Sequence, residues 1–222
     1  ARGNSGVILS QIFRGIAKGL EDKNEINSDE FAKCILEGSK FAYKAVMRPT
    51  EGTILTIIRA AGECAVKSKT EDITKLMCEI CKYSEIVLSK TPEMLSVLKK
   101  AKVVDAGGYG LLVILKGMYN VLYEGLENLK INNDLDVPKK EFKINFDVQD
   151  IKYGYCTEFL IHSHNVDLKS FKDELEPLGD SMVVVGFEDV VKVHIHTNDP
   201  GAVITKAAAK RSEERRVGKE GP

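Results

Sequence analysis

No stretch of the 222 residues is apolar and long enough to cross a bilayer, and the N-terminus lacks the charged-then-apolar pattern of a secretory signal. The expected setting is cytoplasmic, with no membrane span. Charge of one sign is also lacking. The formal net charge is −1, so no global field draws nucleic acid or an anionic membrane surface. The five cysteines (Cys34, Cys64, Cys78, Cys81 and Cys156) are odd in number and irregularly spaced, which excludes a secreted disulfide framework. There is no low-complexity run and no internal repeat. An initiator Met is lacking too, and the chain opens inside what reads as a site loop. It is therefore expected to be a piece of a longer protein. What remains is an ordinary globular composition, 43% hydrophobic, with enough length for one large or two small domains.

The first part of the chain has helical periodicity. Ile8, Ile12 and Ile16 with Leu9, Phe13 and Leu20 form an apolar stripe over Ser5–Leu20. Ser28, followed by Asp29 and Glu30, reads as the cap of a second helix whose Phe31, Ile35, Ala42 and Val46 face the core. Arg48-Pro49-Thr50-Glu51-Gly52 breaks the chain. Ile54, Ile57, Ile58, Ala61 and Ala65 mark a third helix. Ile73, Leu76, Met77, Ile80, Val87 and Leu88 mark a fourth. Thr91-Pro92-Glu93 reads as a capped helix start with Pro at the first position, and Leu111, Leu112, Leu115, Met118, Tyr119 and Leu122 complete a set of six. Short connections imply an antiparallel bundle or helical barrel.

Residues 129–141 are polar, contain Asn132-Asn133-Asp134 and Pro138, and read as a linker. Beyond them the period changes to two. Tyr153–His162, Ser181–Phe187 and Val190–His196 read as strands, with helical patterns at Val166–Leu178 and Ala202–Lys210. The predicted architecture is a mainly α helical barrel over 1–128, a linker over 129–141 and a small α+β domain over 142–210. Residues 211–222 end an Ala-rich helical pattern abruptly. They read as a non-native tail or, equally on composition, a native solvated one.

Two glycine-bearing turns open apolar helices. Gly3-Asn4-Ser5-Gly6 and Asp105-Ala106-Gly107-Gly108 each place free backbone N–H groups at the positive end of a helix dipole, a cradle for phosphate. Asn4 and Ser5 are candidates to donate to a phosphate or ribose, or they are plain N-caps. The second turn allows close approach to a ligand, or its glycines serve packing. Neither is a P-loop, which ends in Gly-Lys-Ser/Thr after a strand. Thr53 reads as a helix cap and Ile54 as a candidate contact to an adenine, though a purely structural helix start needs no ligand.

Cys78 and Cys81 have redox or metal spacing but sit mid-helix without a partner pair, and read as core thiols. Cys156 with His194 and His196 is more specific. Residues two apart on a strand share a face, so both imidazoles can converge on one ion. A Cys on a neighbouring strand would complete an N/S set suited to Zn²⁺, with water or substrate as the unassigned fourth ligand. Surface histidines are the alternative. His162 and His164 repeat the spacing near a strand end and read as ordinary surface residues.

Three segments resemble a known family. Ala1-Arg2-Gly3-Asn4-Ser5-Gly6-Val7-Ile8-Leu9-Ser10-Gln11, Pro49-Thr50-Glu51-Gly52-Thr53-Ile54-Leu55-Thr56 and Val103-Val104-Asp105-Ala106-Gly107-Gly108-Tyr109-Gly110 are similar to the nucleotide-binding DhaL-like domain shared by dihydroxyacetone kinases and bacterial fatty acid kinases. Tyr153-Gly154-Tyr155-Cys156-Thr157-Glu158-Phe159 and Val193-His194-Ile195-His196-Thr197-Asn198-Asp199-Pro200-Gly201 resemble the middle domain of the fatty acid kinase A subunit, which dihydroxyacetone kinases lack.

The resemblance implies ATP bound at one end of a helical barrel by Asn4, Ser5, Gly6, Asp105, Ala106 and Gly107, with Thr53 and Ile54 as further candidates. It implies Zn²⁺ at Cys156, His194 and His196. It also implies a parent kinase that transfers the γ-phosphoryl of ATP to a fatty acid held by a separate fatty-acid-binding carrier protein. No catalytic residue is assigned, and a homodimer stays open. The family holds Mg²⁺ with an Asp-Gly-Asp-Thr-Gly loop upstream of the Gly-Asn-Ser-Gly turn. That loop is not in this sequence, nor is the family's C-terminal domain, so this piece is expected to be inactive by itself. Two other readings stand beside this one: a dihydroxyacetone-type kinase and a non-catalytic nucleotide-binding scaffold.

Overall fold

The computed structural model describes residues 3–126, 152–163, 166–187 and 189–210. The predicted linker, the tail and His164 lie outside them. The chain divides into two compact units, one of Ile8–Tyr43 with Pro49–Asp147, the other of Ala1–Val7 with Lys44–Arg48 and Val148–Pro222. Among the described residues no helix is long and apolar enough to cross a membrane.

Among the described residues seven helices precede the strands: α1 (Gly3–Leu20), α2 (Ser28–Ala45), α3 (Ile54–Lys67), α4 (Ile73–Ser89), α5 (Thr91–Met94), α6 (Ser96–Ala101) and α7 (Ala106–Glu124). The mainly helical class matches the sequence reading. α3, α4 and α7 pack on one another through Ile57, Ile58, Leu76, Met77, Ile80, Leu111, Leu112 and Leu115, all buried. Asp72 caps α4 by accepting the N–H groups of Thr74 and Lys75 at 2.8 and 3.2 Å. Cys81 is a core thiol as predicted, and burial pushes it up to about 11, whereas Cys78, read with it as a core thiol, is only half-buried.

Several local expectations are corrected. The second helix is capped by Asn27, not Ser28. Glu30 N–H donates to Asn27 Oδ1 at 2.9 Å while Glu30 Oε2 accepts Asn27 N–H at 3.1 Å, a reciprocal capping box. Ser28 Oγ instead donates to the Thr70 carbonyl at 2.6 Å. Thr91 does not cap. Its hydroxyl donates to the Leu88 carbonyl and accepts Asp105 N–H, and the helix it opens stops at Met94. Phe13 is 46% exposed because α1 meets α2 through glycine. A Cβ on Gly15 would lie 2.6 Å from Glu37 O and 2.7 Å from Gly38 Cα. That contact turns the Ile8–Ile12–Gly15–Gly19 face inward and Phe13 out. Val46 lies beyond the end of α2 and bridges to Val183, and Leu122 is exposed.

The strand-bearing part contains β1 (Tyr155–His162), α8 (Leu168–Leu175), a 3₁₀ turn at Glu176–Leu178, β2 (Gly179–Phe187), β3 (Val190–Thr197) and α9 (Pro200–Ala208). β3 is central and antiparallel to both neighbours, giving the order β1-β3-β2. Alternation on β3 sends Val191, Val193 and Ile195 to one face, where they pack with Phe171 and Leu175 of α8 and Val203 and Ala207 of α9. Each of the larger side chains contributes roughly 1.5–3 kcal/mol by burial. The opposite face carries the even-numbered residues Lys192, His194 and His196.

Candidate nucleotide and metal sites

In the helical unit, the starts of α3 and α7 meet at one carboxylate. Asp105 is the N-cap of α7, and its Oδ2 accepts Gly108 N–H at 2.6 Å. The backbone N–H of Ile54, the first residue of α3, also favours this carboxylate as the ion. Asp105 N–H donates to Thr91 Oγ1 at 3.1 Å, and Thr91 is fully buried. Burial raises the Asp105 carboxyl above its ordinary value, outweighing the two N–H groups that favour the ion. Tyr109 N–H bonds the Asp105 carbonyl. Ala106 and Gly107 occupy the first turn, where a helix cannot satisfy N–H groups from within. Gly108 is a packing glycine, since a Cβ there would lie 2.7 Å from Ile57 Cγ1.

Thr53 caps α3. Its hydroxyl accepts Leu55 N–H at 3.3 Å and donates to the Thr50 carbonyl at 2.8 Å. Ile54 is 4% exposed and points its side chain into the core. Gly52 has φ +83°, in the left-handed region, and its N–H donates to Thr56 Oγ1 at 2.8 Å. Glu51 is a hub that sequence reasoning did not single out. It accepts from Tyr43 Oη at 2.9 Å, Thr56 Oγ1 at 2.6 Å and Arg59 Nη2 at 2.7 Å. Burial pushes the Glu51 carboxyl up, but these three donors together hold it below its usual range. The i, i+8 spacing of Glu51 and Arg59 across a turn carries no one-dimensional signal.

Asn4, Ser5 and Gly6 lie inside the first turn of α1, which begins at Gly3 rather than at the predicted Ser5. Asn4 Nδ2 donates to the Ser181 carbonyl at 3.5 Å. Its Oδ1 is buried and has no hydrogen-bond partner among the described residues.

The sheet brings Cys156, His194 and His196 together. Cys156 stands directly opposite His196 in the β1–β3 register, with His194 on the diagonal. One donor atom from each lies within 4.8 Å of the others. Cys156 Sγ is 3.9 Å from His194 Nε2. Two imidazoles and a thiol at this spacing are a donor set that fits Zn²⁺. His194 is buried, and burial holds its imidazole below its ordinary value despite the neighbouring Glu158. The neutral ring is the form that binds metal.

The chain thus joins a helical domain to a three-stranded sheet bearing a Cys/His cluster. The DAK2 domain family matches residues 1–120, and the middle-domain family of proteins like the fatty acid kinase A subunit matches residues 152–212. The chain belongs to this family of fatty acid kinase A-type subunits, built on a DAK2 domain. It is 42% identical to the protein YloV of Bacillus subtilis, over 93% of this chain and 40% of that protein. An uncharacterized protein of Staphylococcus aureus is 43% identical, over 91% of this chain and 39% of its own length. One from Staphylococcus saprophyticus is 41% identical with the same coverage. The chain thus spans about two fifths of the length of these relatives.

Proposed function

We propose that this chain is the nucleotide-binding and middle portion of an ATP-dependent kinase whose full-length form phosphorylates a carrier-bound fatty acid to an acyl phosphate. The observation that carries the nucleotide reading is Asp105, which gathers the N-terminal ends of α3 and α7 at one point. The first-turn N–H groups of α7, at the positive end of its dipole, favour a polyphosphate there. In this reading Ala106 and Gly107 offer backbone N–H groups, and Thr53 and Ile54 shape the neighbouring helix start. Asn4, Ser5 and Gly6, at the start of α1, are further nucleotide contacts through the family resemblance.

A fatty acid carboxylate is already an adequate nucleophile, so the reaction demands positioning and charge neutralisation more than a strong base. Mg²⁺ would supply part of that neutralisation. The Cys/His/Asp/Glu group that converges among the described residues is Cys156, His194 and His196, not an aspartate cluster, and no step is assigned through Mg²⁺. Zn²⁺ at that trio would cross-link β1 to β3.

The match to the middle domain favours the fatty acid reading over a dihydroxyacetone-type kinase. The test is acyl phosphate formation by the full-length protein with ATP, a fatty acid and its carrier protein. Product is expected. Nucleotide binding without transfer to any acceptor would reject the kinase reading in favour of a scaffold. Turnover of dihydroxyacetone without a carrier would favour the other kinase.

A further inference from the structure

Both imidazoles of the Cys/His cluster carry a carboxylate on their Nδ1 side. Glu158 Oε2 lies 3.4 Å from His194 Nδ1, and Asp180 Oδ1 lies 3.8 Å from His196 Nδ1. Strand register puts them there. Glu158 stands opposite His194 across β1–β3, and Asp180 stands opposite His196 across β2–β3. Each histidine of the central strand is thus flanked by an acid from a different neighbour. The Glu158 carboxylate is itself held. Its Oε1 meets Lys192 Nζ at 2.9 Å, and that arrangement directs Oε2 toward the ring.

A neutral imidazole has one N–H and one lone pair. A carboxylate beside Nδ1 takes the N–H there and leaves the lone pair on Nε2, which for His194 is the atom facing Cys156 Sγ. The same carboxylate raises the basicity of the ligating nitrogen and limits rotation of the ring. We infer that Glu158 and Asp180 are positioning residues for a metal ion at Cys156, His194 and His196, Glu158 acting directly on His194 and Asp180 on His196 at longer range. The inference rests on the Zn²⁺ reading of the cluster.

The experiment measures zinc affinity of the 222-residue chain by competition with a chromophoric chelator, for the unaltered protein, Glu158→Ala, Glu158→Gln and Asp180→Ala. Long-range ¹H–¹⁵N spectra of the metal-free proteins report each histidine tautomer. Glu158→Ala is expected to weaken zinc binding by roughly 10- to 100-fold and to move His194 away from the Nδ1–H tautomer. Glu158→Gln, whose carbonyl still accepts from Nδ1–H, recovers part of the loss. Asp180→Ala gives a smaller drop, because its contact is longer. Unchanged affinity and tautomer in the Glu158 and Asp180 variants, with zinc bound by the unaltered chain, would overturn the inference and leave the Zn²⁺ reading standing. No zinc bound by the unaltered chain would overturn both. If Glu158→Ala does not fold, the isosteric Glu158→Gln decides: an intermediate loss is expected, and affinity equal to the unaltered chain counts against the inference.

Discussion

Gly108 N–H donates to the Asp105 carboxylate at 2.6 Å, and the backbone N–H of Ile54 also favours that carboxylate as the ion, so one side chain serves the start of α7 and the first residue of α3. Replacing it with Ala removes both contacts. Asp105→Ala is expected to cost about 1–2 kcal/mol, the usual loss for an N-cap, with helical content nearly unchanged. Nucleotide affinity should fall in the same variant. Asp105→Asn should cost less, because burial already disfavours the charged form and the amide oxygen still accepts one N–H. Urea denaturation and titration calorimetry with ATP check both points. Unaltered ATP affinity in Asp105→Ala would count against the assigned pocket.

Glu51 sets an acid-side prediction. Its carboxyl is depressed in the folded state, where Thr56, Arg59 and Tyr43 donate to it. The stability this contributes is present above the ordinary glutamate value of 4.5 and is lost as pH falls through the lower folded value. The carboxylate is about half exposed, and solvent screening limits the effect to about 1 kcal/mol. Glu51→Gln should therefore be less stable than the unaltered chain at pH 7, with the gap closing toward pH 3. A gap that is constant with pH, in melts run across that range, would refute the role.

His194→Ala is expected to release zinc and lower the melting temperature of the strand-bearing part, because a metal bound only by the folded state stabilises it. Adding chelator to the unaltered protein should mimic the mutation. Elemental analysis and melts with and without chelator report it. A protein purified without zinc would rule out this account.

Glycine substitutions separate packing from propensity. In Gly15→Ala the new Cβ meets the backbone of Glu37 and Gly38, which cannot swing away, and overpacking of about 1–3 kcal/mol outweighs the helix-propensity gain. Gly117→Ala meets nothing within 4 Å, so only the gain of roughly 0.5–1 kcal/mol remains. Opposite signs in denaturant midpoints are the expected result. Stabilisation by Gly15→Ala would show that α1 and α2 are not in close contact.

Much of the fold was legible because its signals are local. Period-3.6 stripes marked α3 and α4, and period-two alternation marked β3 and put His194 and His196 on one face. The errors came where two local options compete. Asn27 and Ser28 are both good caps, and the capping box with Glu30, three residues after Asn27, favours the former. Thr91 before Pro92 has the form of a cap, yet its hydroxyl is drawn to Leu88 and Asp105. Phe13 fits an apolar stripe, but Gly15 is the smaller residue and lets a helix approach.

Residue order along the chain sufficed for which segments are helices or strands, which residue types bear chemistry, and the family, since each depends on near neighbours or short motifs. Packing in three dimensions alone decided that Asp105 reaches Ile54, that Tyr43, Glu51 and Arg59 form one network, and that Glu158 and Asp180 flank the two histidines. Those pairings join atoms distant in sequence. Strand register and helix crossing, which depend on how whole faces fit together, bring them within hydrogen-bonding or electrostatic reach.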